Sequence, residues 1–114
     1  MEDADATFTA LRSILEGYAD ALTVTRDEPE AYALDAGHSE RWDKVLPFGR
    51  VEMEKRYVSY HLFPVYVYPA LLDELSPELG PRMQGKSCFN FRTLTEAQRR
   101  ALEELTERCF RRYR

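Results

Sequence analysis

Residues 50 to 62 constrain the fold most tightly, because hydropathy alternates there residue by residue on both sides of a short polar break. Val51, Met53, Val58, Tyr60 and Leu62 are apolar or aromatic, and Arg50, Glu52, Ser59 and His61 stand between them. Strand side chains point alternately to opposite faces, so the pattern predicts two strands, each buried on one side. A two-residue turn at Lys55-Arg56 sets Val51 opposite Tyr60 and Met53 opposite Val58. That register gathers the apolar side chains on one face and Arg50, Glu52, Ser59 and His61 on the other. A three-residue turn would mix the faces and bury charge, although Lys-Arg lacks the Asn or Gly that tight hairpins favour.

The flanking chain supplies layers for this hairpin. Phe8, Leu11, Leu15, Tyr18 and Leu22 recur at helical spacing, with Asp5 or Thr7 as N-cap, and Gly17 lies inside the stripe at a cost of up to ~1 kcal/mol relative to Ala. Residues 22–26 and 31–36 read as short strands around an Asp27-Glu28-Pro29 turn, with Leu22, Val24, Tyr32 and Leu34 toward the core. Residues 37–46 show no period and read as a loop, with Trp42 partly buried at the sheet edge. Pro69 is placed to open a helix over residues 70–75, and Ser76-Pro77 to open a second short one. In the last strand Phe89 and Phe91 turn inward, while Asn90 and Arg92 extend the polar face. Thr95 and Gln98 form a capping box at the start of a closing helix lined by Ala101, Leu102, Leu105 and Cys109. The expected class is α+β: a mostly antiparallel sheet of about five strands, packed against N- and C-terminal helices, with one sheet face open.

A chain of 114 residues is a single domain by length, spanning 1–114, and can bury a core without disulfides. Cys88 and Cys109 form no CxxC pair or Cys/His cluster, which argues against a structural zinc site, and they are read as reduced, which points to the cytoplasm. The start, MEDADATF, is acidic, and no apolar run approaches a membrane span, so neither a signal peptide nor a membrane partner is expected. The net charge of −4, with both signs interleaved, argues against a nucleic-acid partner.

Residues 80–87 match the phosphate-loop pattern G-x-x-x-x-G-K-[ST] letter for letter. That chemistry needs a strand before the loop and a helix after it, whose N-terminal amides hold the phosphates. The order here is reversed and Pro81 removes one amide, so no nucleotide site is assigned. His38, Asp35 and Glu40 read as a solvated loop, and the arginines 108 to 114 as complements to a helix C-terminus.

The segment YVSYHLFPVYVYPALLDELSPELGPRMQGKSCFNF resembles the YdhG-like domain family, most specifically at Tyr57 to Pro64 and at Arg82 to Phe91. The resemblance implies an α/β sandwich related in shape to frataxin, and some relatives are assigned intracellular iron-chaperone roles. It implies no agreed catalytic residues. An iron role would call for an acidic ridge on the first helix, where Glu2, Asp3 and Asp5 are the candidate metal ligands.

The leading expectation is a non-enzymatic module that binds a small molecule or protein, without a cofactor, through Arg50, Glu52, Ser59, His61, Asn90 and Arg92. Iron binding at the acidic helix is second. An enzyme is third, with His61 as general base oriented by Glu52 and a substrate carboxylate or phosphate anchored by Arg50 or Arg92. A concave site at His61 is required by that third reading.

Overall fold

A computed structural model describes residues 2–113, with side chains from residue 4 onward. The element order is α1 (Glu2–Glu16), β1 (Thr23–Glu28), β2 (Ala31–Ser39), β3 (Lys44–Met53), β4 (Val58–Leu62), α2 (Phe63–Val67), β5 (Met83–Gln84), β6 (Cys88–Phe91) and α3 (Glu96–Tyr113), with 3-10 turns at Pro69–Leu72 and Gly80–Arg82. The strands form one six-stranded sheet in the order β1-β2-β3-β4-β6-β5, and every neighbouring pair is antiparallel. This is the expected α+β class, with the short β5 as an additional edge strand.

The central hairpin has the register that its alternation requires. Val51 faces Tyr60, Met53 faces Val58, Arg50 faces His61 and Glu52 faces Ser59. The Glu54 amide donates to the Tyr57 carbonyl at 2.8 Å, closing the turn around Lys55 and Arg56. Neither turn residue has a positive φ, so the reversal is made without the left-handed conformations that favour Asn-Gly.

On the covered face, Tyr32, Leu34, Phe48, Val51, Val58, Tyr60, Leu62, Phe89 and Phe91 meet Phe8, Leu11, Ile14 and Leu15 of α1 and Leu102, Leu105 and Cys109 of α3. Tyr60 is completely buried, and its hydroxyl hydrogen-bonds Thr106 Oγ1 at 2.8 Å, so the polar tip has a partner. Phe48 is the hub of a ring cluster with Tyr18, Phe110 and Tyr113 at centroid distances of 5.8, 6.1 and 6.3 Å. Helix α3 opens on the expected capping box: the Thr95 amide donates to Gln98 Oε1 at 2.9 Å and the Gln98 amide to Thr95 Oγ1 at 3.1 Å.

Several local expectations are corrected. Helix α1 ends at Glu16, so Gly17 lies beyond its last turn and exacts no interior penalty. The same helix begins at Glu2, which places Asp5 and Thr7 inside it rather than at a cap, and the Thr7 hydroxyl instead donates to the Arg92 carbonyl at 3.4 Å. Val24 is 41 % exposed because β1 is an edge strand, exposed along its whole length. Residues 37–46 are largely strand: β2 and β3 run on as a long hairpin, and Trp42, in its turn, is 45 % exposed. Pro64 opens α2 over residues 63–67, Pro69 starts only a 3-10 turn, and Ser76 begins a turn in which its hydroxyl accepts from the Glu78 amide at 3.3 Å.

Candidate site on the open sheet face

Strand register lays the open face out in two rows. One runs Arg26, Ala33, Arg50, His61, Cys88 across β1, β2, β3, β4 and β6, and the other runs Glu28, Ala31, Glu52, Ser59, Asn90. The alanines matter because a larger side chain on β2 would stand between β1 and β3. With methyl groups there, Arg26 reaches over β2 and donates to Glu52 at 2.9 Å, while its other nitrogen donates to Glu28 at 2.9 Å. Glu52 also contacts Arg50 Nε at 3.2 Å. Ala31 and Ala33 are buried beneath this lattice of charges. Each of these pairs is solvent-exposed, so its contribution to stability is small; the lattice fixes where the guanidinium groups stand.

The structure therefore brings together Arg50, Glu52, Ser59, His61 and Asn90. Arg92 follows the end of β6 and is exposed, one step outside the paired rows. Ser59 is almost fully buried, with its hydroxyl 3.5 Å from the Glu52 carbonyl, which makes it part of the floor rather than an accessible contact. Glu52 makes no hydrogen bond to His61; its two oxygens face Arg26 and Arg50 instead.

A cleft of about 480 Å³ opens at His61, within the range of small-molecule sites. Arg50, Arg26, Asp35, Thr25 and Ser87 supply its polar wall, and Phe63 and Tyr66 of α2 its aromatic wall. The imidazole is half-buried and makes no hydrogen bond with another described residue. Burial lowers its pKa from 6.5, the Arg50 charge lowers it further, and Glu52 opposes both. His61 is consequently held toward the neutral form, with one ring nitrogen able to donate and the other to accept. Because the unfolded chain binds this proton more readily, the folding stability associated with His61 is intact above pH 6.5 and is lost as pH falls from there through the depressed folded value. His61→Gln is expected to flatten that part of the stability profile in urea melts repeated between neutral and mildly acidic pH.

Asp35, Arg26, Thr25 and the two rings of α2 were not legible as site residues. Asp35 belongs to β2 rather than to a loop. The register of β2 against β3 shifts between Leu34 and Asp35 and again before Gly37, whose φ is +97°, and these irregularities erase the period-two signal. Cys88, opposite His61, donates its thiol proton to Asn90 Oδ1 at 3.3 Å, and burial raises its pKa, so it is held as a thiol.

The metal candidates fall elsewhere. The Glu2 and Asp3 side chains lie outside the described residues, and Asp5 is exposed on α1. No group of three or more His, Cys, Asp or Glu among the described residues converges as a metal site. His38 pairs with Asp43 across 3.3 Å in the β2–β3 turn. In residues 80–87 the chain passes from a 3-10 turn through β5, reverses at Gly85 with φ of +75°, and enters β6, with the Ser87 carbonyl accepting from the Leu62 amide at 2.9 Å. A strand follows Lys86, so the loop does not run on into a helix N-terminus as a phosphate loop does. No described helix is long and apolar enough to cross a membrane. Comparison with known proteins finds no matching family, no matching curated protein and no matching solved structure.

Proposed function

We propose that this protein is a non-enzymatic binding module whose open sheet face takes a small polar molecule through a carboxylate or phosphate group. One observation carries the reading: Arg50 and His61 are direct cross-strand partners on the wall of a cleft, and the imidazole there has no hydrogen-bond partner among the described residues. Arg50 contacts Glu52 through Nε, which leaves its two terminal nitrogens to form a charge-assisted fork with an anion. The neutral ring adds a donor, Ser87 adds a hydroxyl, and Phe63 with Tyr66 can pack against the ligand body. Asp35, on the same wall, favours a ligand that also carries a donor. The segments that carry the resemblance to YdhG-like domains, residues 57–64 and 82–91, contain His61, Phe63 and Ser87, and this supports a reading in which the shared feature is the cleft.

Calorimetry with inorganic phosphate and with malonate as probes tests the reading. Saturable binding is expected, weakened by about tenfold or more in Arg50→Ala, the scale of a charge-assisted contact. Heat that does not saturate with either probe, or affinity unchanged in Arg50→Ala, would contradict it.

A further inference from the structure

A second, larger cavity adjoins the first and has a different chemistry. It holds about 640 Å³ and shares Phe63 and Tyr66 with the His61 cleft, so these rings stand between the two. The aromatic pair is itself packed, with centroids 5.6 Å apart. The wall is apolar: Leu46 and Val65 are buried at its base, and Val67, Leu72 and Met83 complete it. Trp42 and Tyr66 border it while 45 % and 53 % exposed, two of the few large apolar side chains that the fold leaves in water.

The charges at this cavity are all of one sign. Acidic residues outnumber basic ones in the chain, 20 to 16, yet among the described residues the cavity is lined by Lys44 and Lys86 and by no carboxylate. Every ion pair among the described residues uses an arginine or His38, so neither lysine is paired with any of them. Lys86 is held over the Tyr66 ring, its Nζ 5.9 Å from the centroid, at the point where Gly85 turns the chain with a positive φ that a side-chain-bearing residue adopts only with strain.

We infer that this cavity binds a single amphipathic anion, an aliphatic or aryl chain ending in a carboxylate, with the chain laid between Trp42, Val65 and Tyr66 and the charge set against Lys44 and Lys86. Apolar burial supplies the affinity and the unpaired ammonium groups supply the choice of headgroup. A free amphiphile is favoured over a membrane surface because the apolar wall is recessed into a cavity rather than raised as a convex patch. The headgroup contacts are distinct from those of the His61 cleft, since neither lysine lines that cleft, while Phe63 and Tyr66 are common to both.

The test uses decanoate and its neutral analogue decanol on the full chain, read by the emission of Trp42, the sole tryptophan, and by calorimetry in parallel. Decanoate is expected to bind saturably and about tenfold more tightly than decanol. The Lys44→Gln/Lys86→Gln double variant is expected to lose that preference, with decanol affinity and the urea midpoint unchanged. Equal affinity for the two probes in the wild type, an unaltered preference in the double variant, or no saturable response by either method would overturn the inference. Co-sedimentation with phosphatidylglycerol vesicles that decanoate fails to displace would also overturn it, in favour of a membrane surface.

Discussion

Phe89→Ala is expected to lower the unfolding free energy by about 3–5 kcal/mol, the range for removing a ring from a close-packed core. Phe89 is fully buried on β6, opposite Tyr60 on β4, which is itself fully buried and tied to Thr106 of α3. A cavity there would open beside β6, which is held in the ladder between β4 and β5, and those hydrogen bonds limit how far the strands can close on it. Lys86→Ala, two residues outside the same strand, is expected to move the urea midpoint hardly at all, because the side chain is exposed and its ammonium stands over the Tyr66 ring at 5.9 Å without an ion pair among the described residues. Urea melts of the two variants check the ranking. Near-equal midpoints, or a larger loss in Lys86→Ala, would contradict the placement of β6 in the core. The same pair tests residues 80–87, since magnesium-dependent ATP binding that disappears in Lys86→Ala would show a phosphate loop where the fold places a strand.

Gly49→Ala is expected to destabilise the protein by about 1–3 kcal/mol, as overpacking does, although Ala is the smallest side chain available. A Cβ at this position would come within 3.0 Å of Leu15 Cδ2 and 3.1 Å of the His61 carbonyl. Leu15 has no free space to retreat into, being fully buried between α1 and the sheet, and the carbonyl belongs to the β4 ladder. Gly49 thus lets α1 approach β3 closely, and it also lines the His61 cleft. The variant should therefore both lower the urea midpoint and perturb the backbone amides of β4 around His61 in heteronuclear spectra. A wild-type midpoint with unchanged β4 amides would mean that the close approach is not required.

Where the sequence is regular, its pattern determines the structure closely. Alternation through residues 50–62 gave a register that the fold reproduces pair by pair, because a one-residue slip would have placed Arg50 and Glu52 in the core. The capping box at Thr95 was equally legible, since its two hydrogen bonds depend only on residues three apart. Around Asp35 and Gly37 the signal failed, because the bulges shift the faces and what remains looks like a loop. For the candidate site, Arg50, Glu52, His61 and Asn90 could be grouped from the alternation alone. The contribution of Arg26 could not, because it depends on two alanines of β2 being small enough to be crossed, a relation between strands that no local pattern displays. Nor could Phe63 and Tyr66, whose placement beside the cleft follows from Pro64 opening a single helical turn at the end of β4.

The proposed role of the cleft requires that His61 and Arg50 form one anion-binding surface. Its most direct measurement is an NMR pH titration of the two histidine rings, assigned through His38→Gln, with and without saturating inorganic phosphate. The His61 ring is expected to titrate below 6.5 in the free protein, phosphate to raise this value, and the Arg50 Nε–H resonance to shift with the same saturation curve. A His61 ring that titrates at or above 6.5, or one whose titration and whose neighbour Arg50 are both indifferent to phosphate, would contradict it.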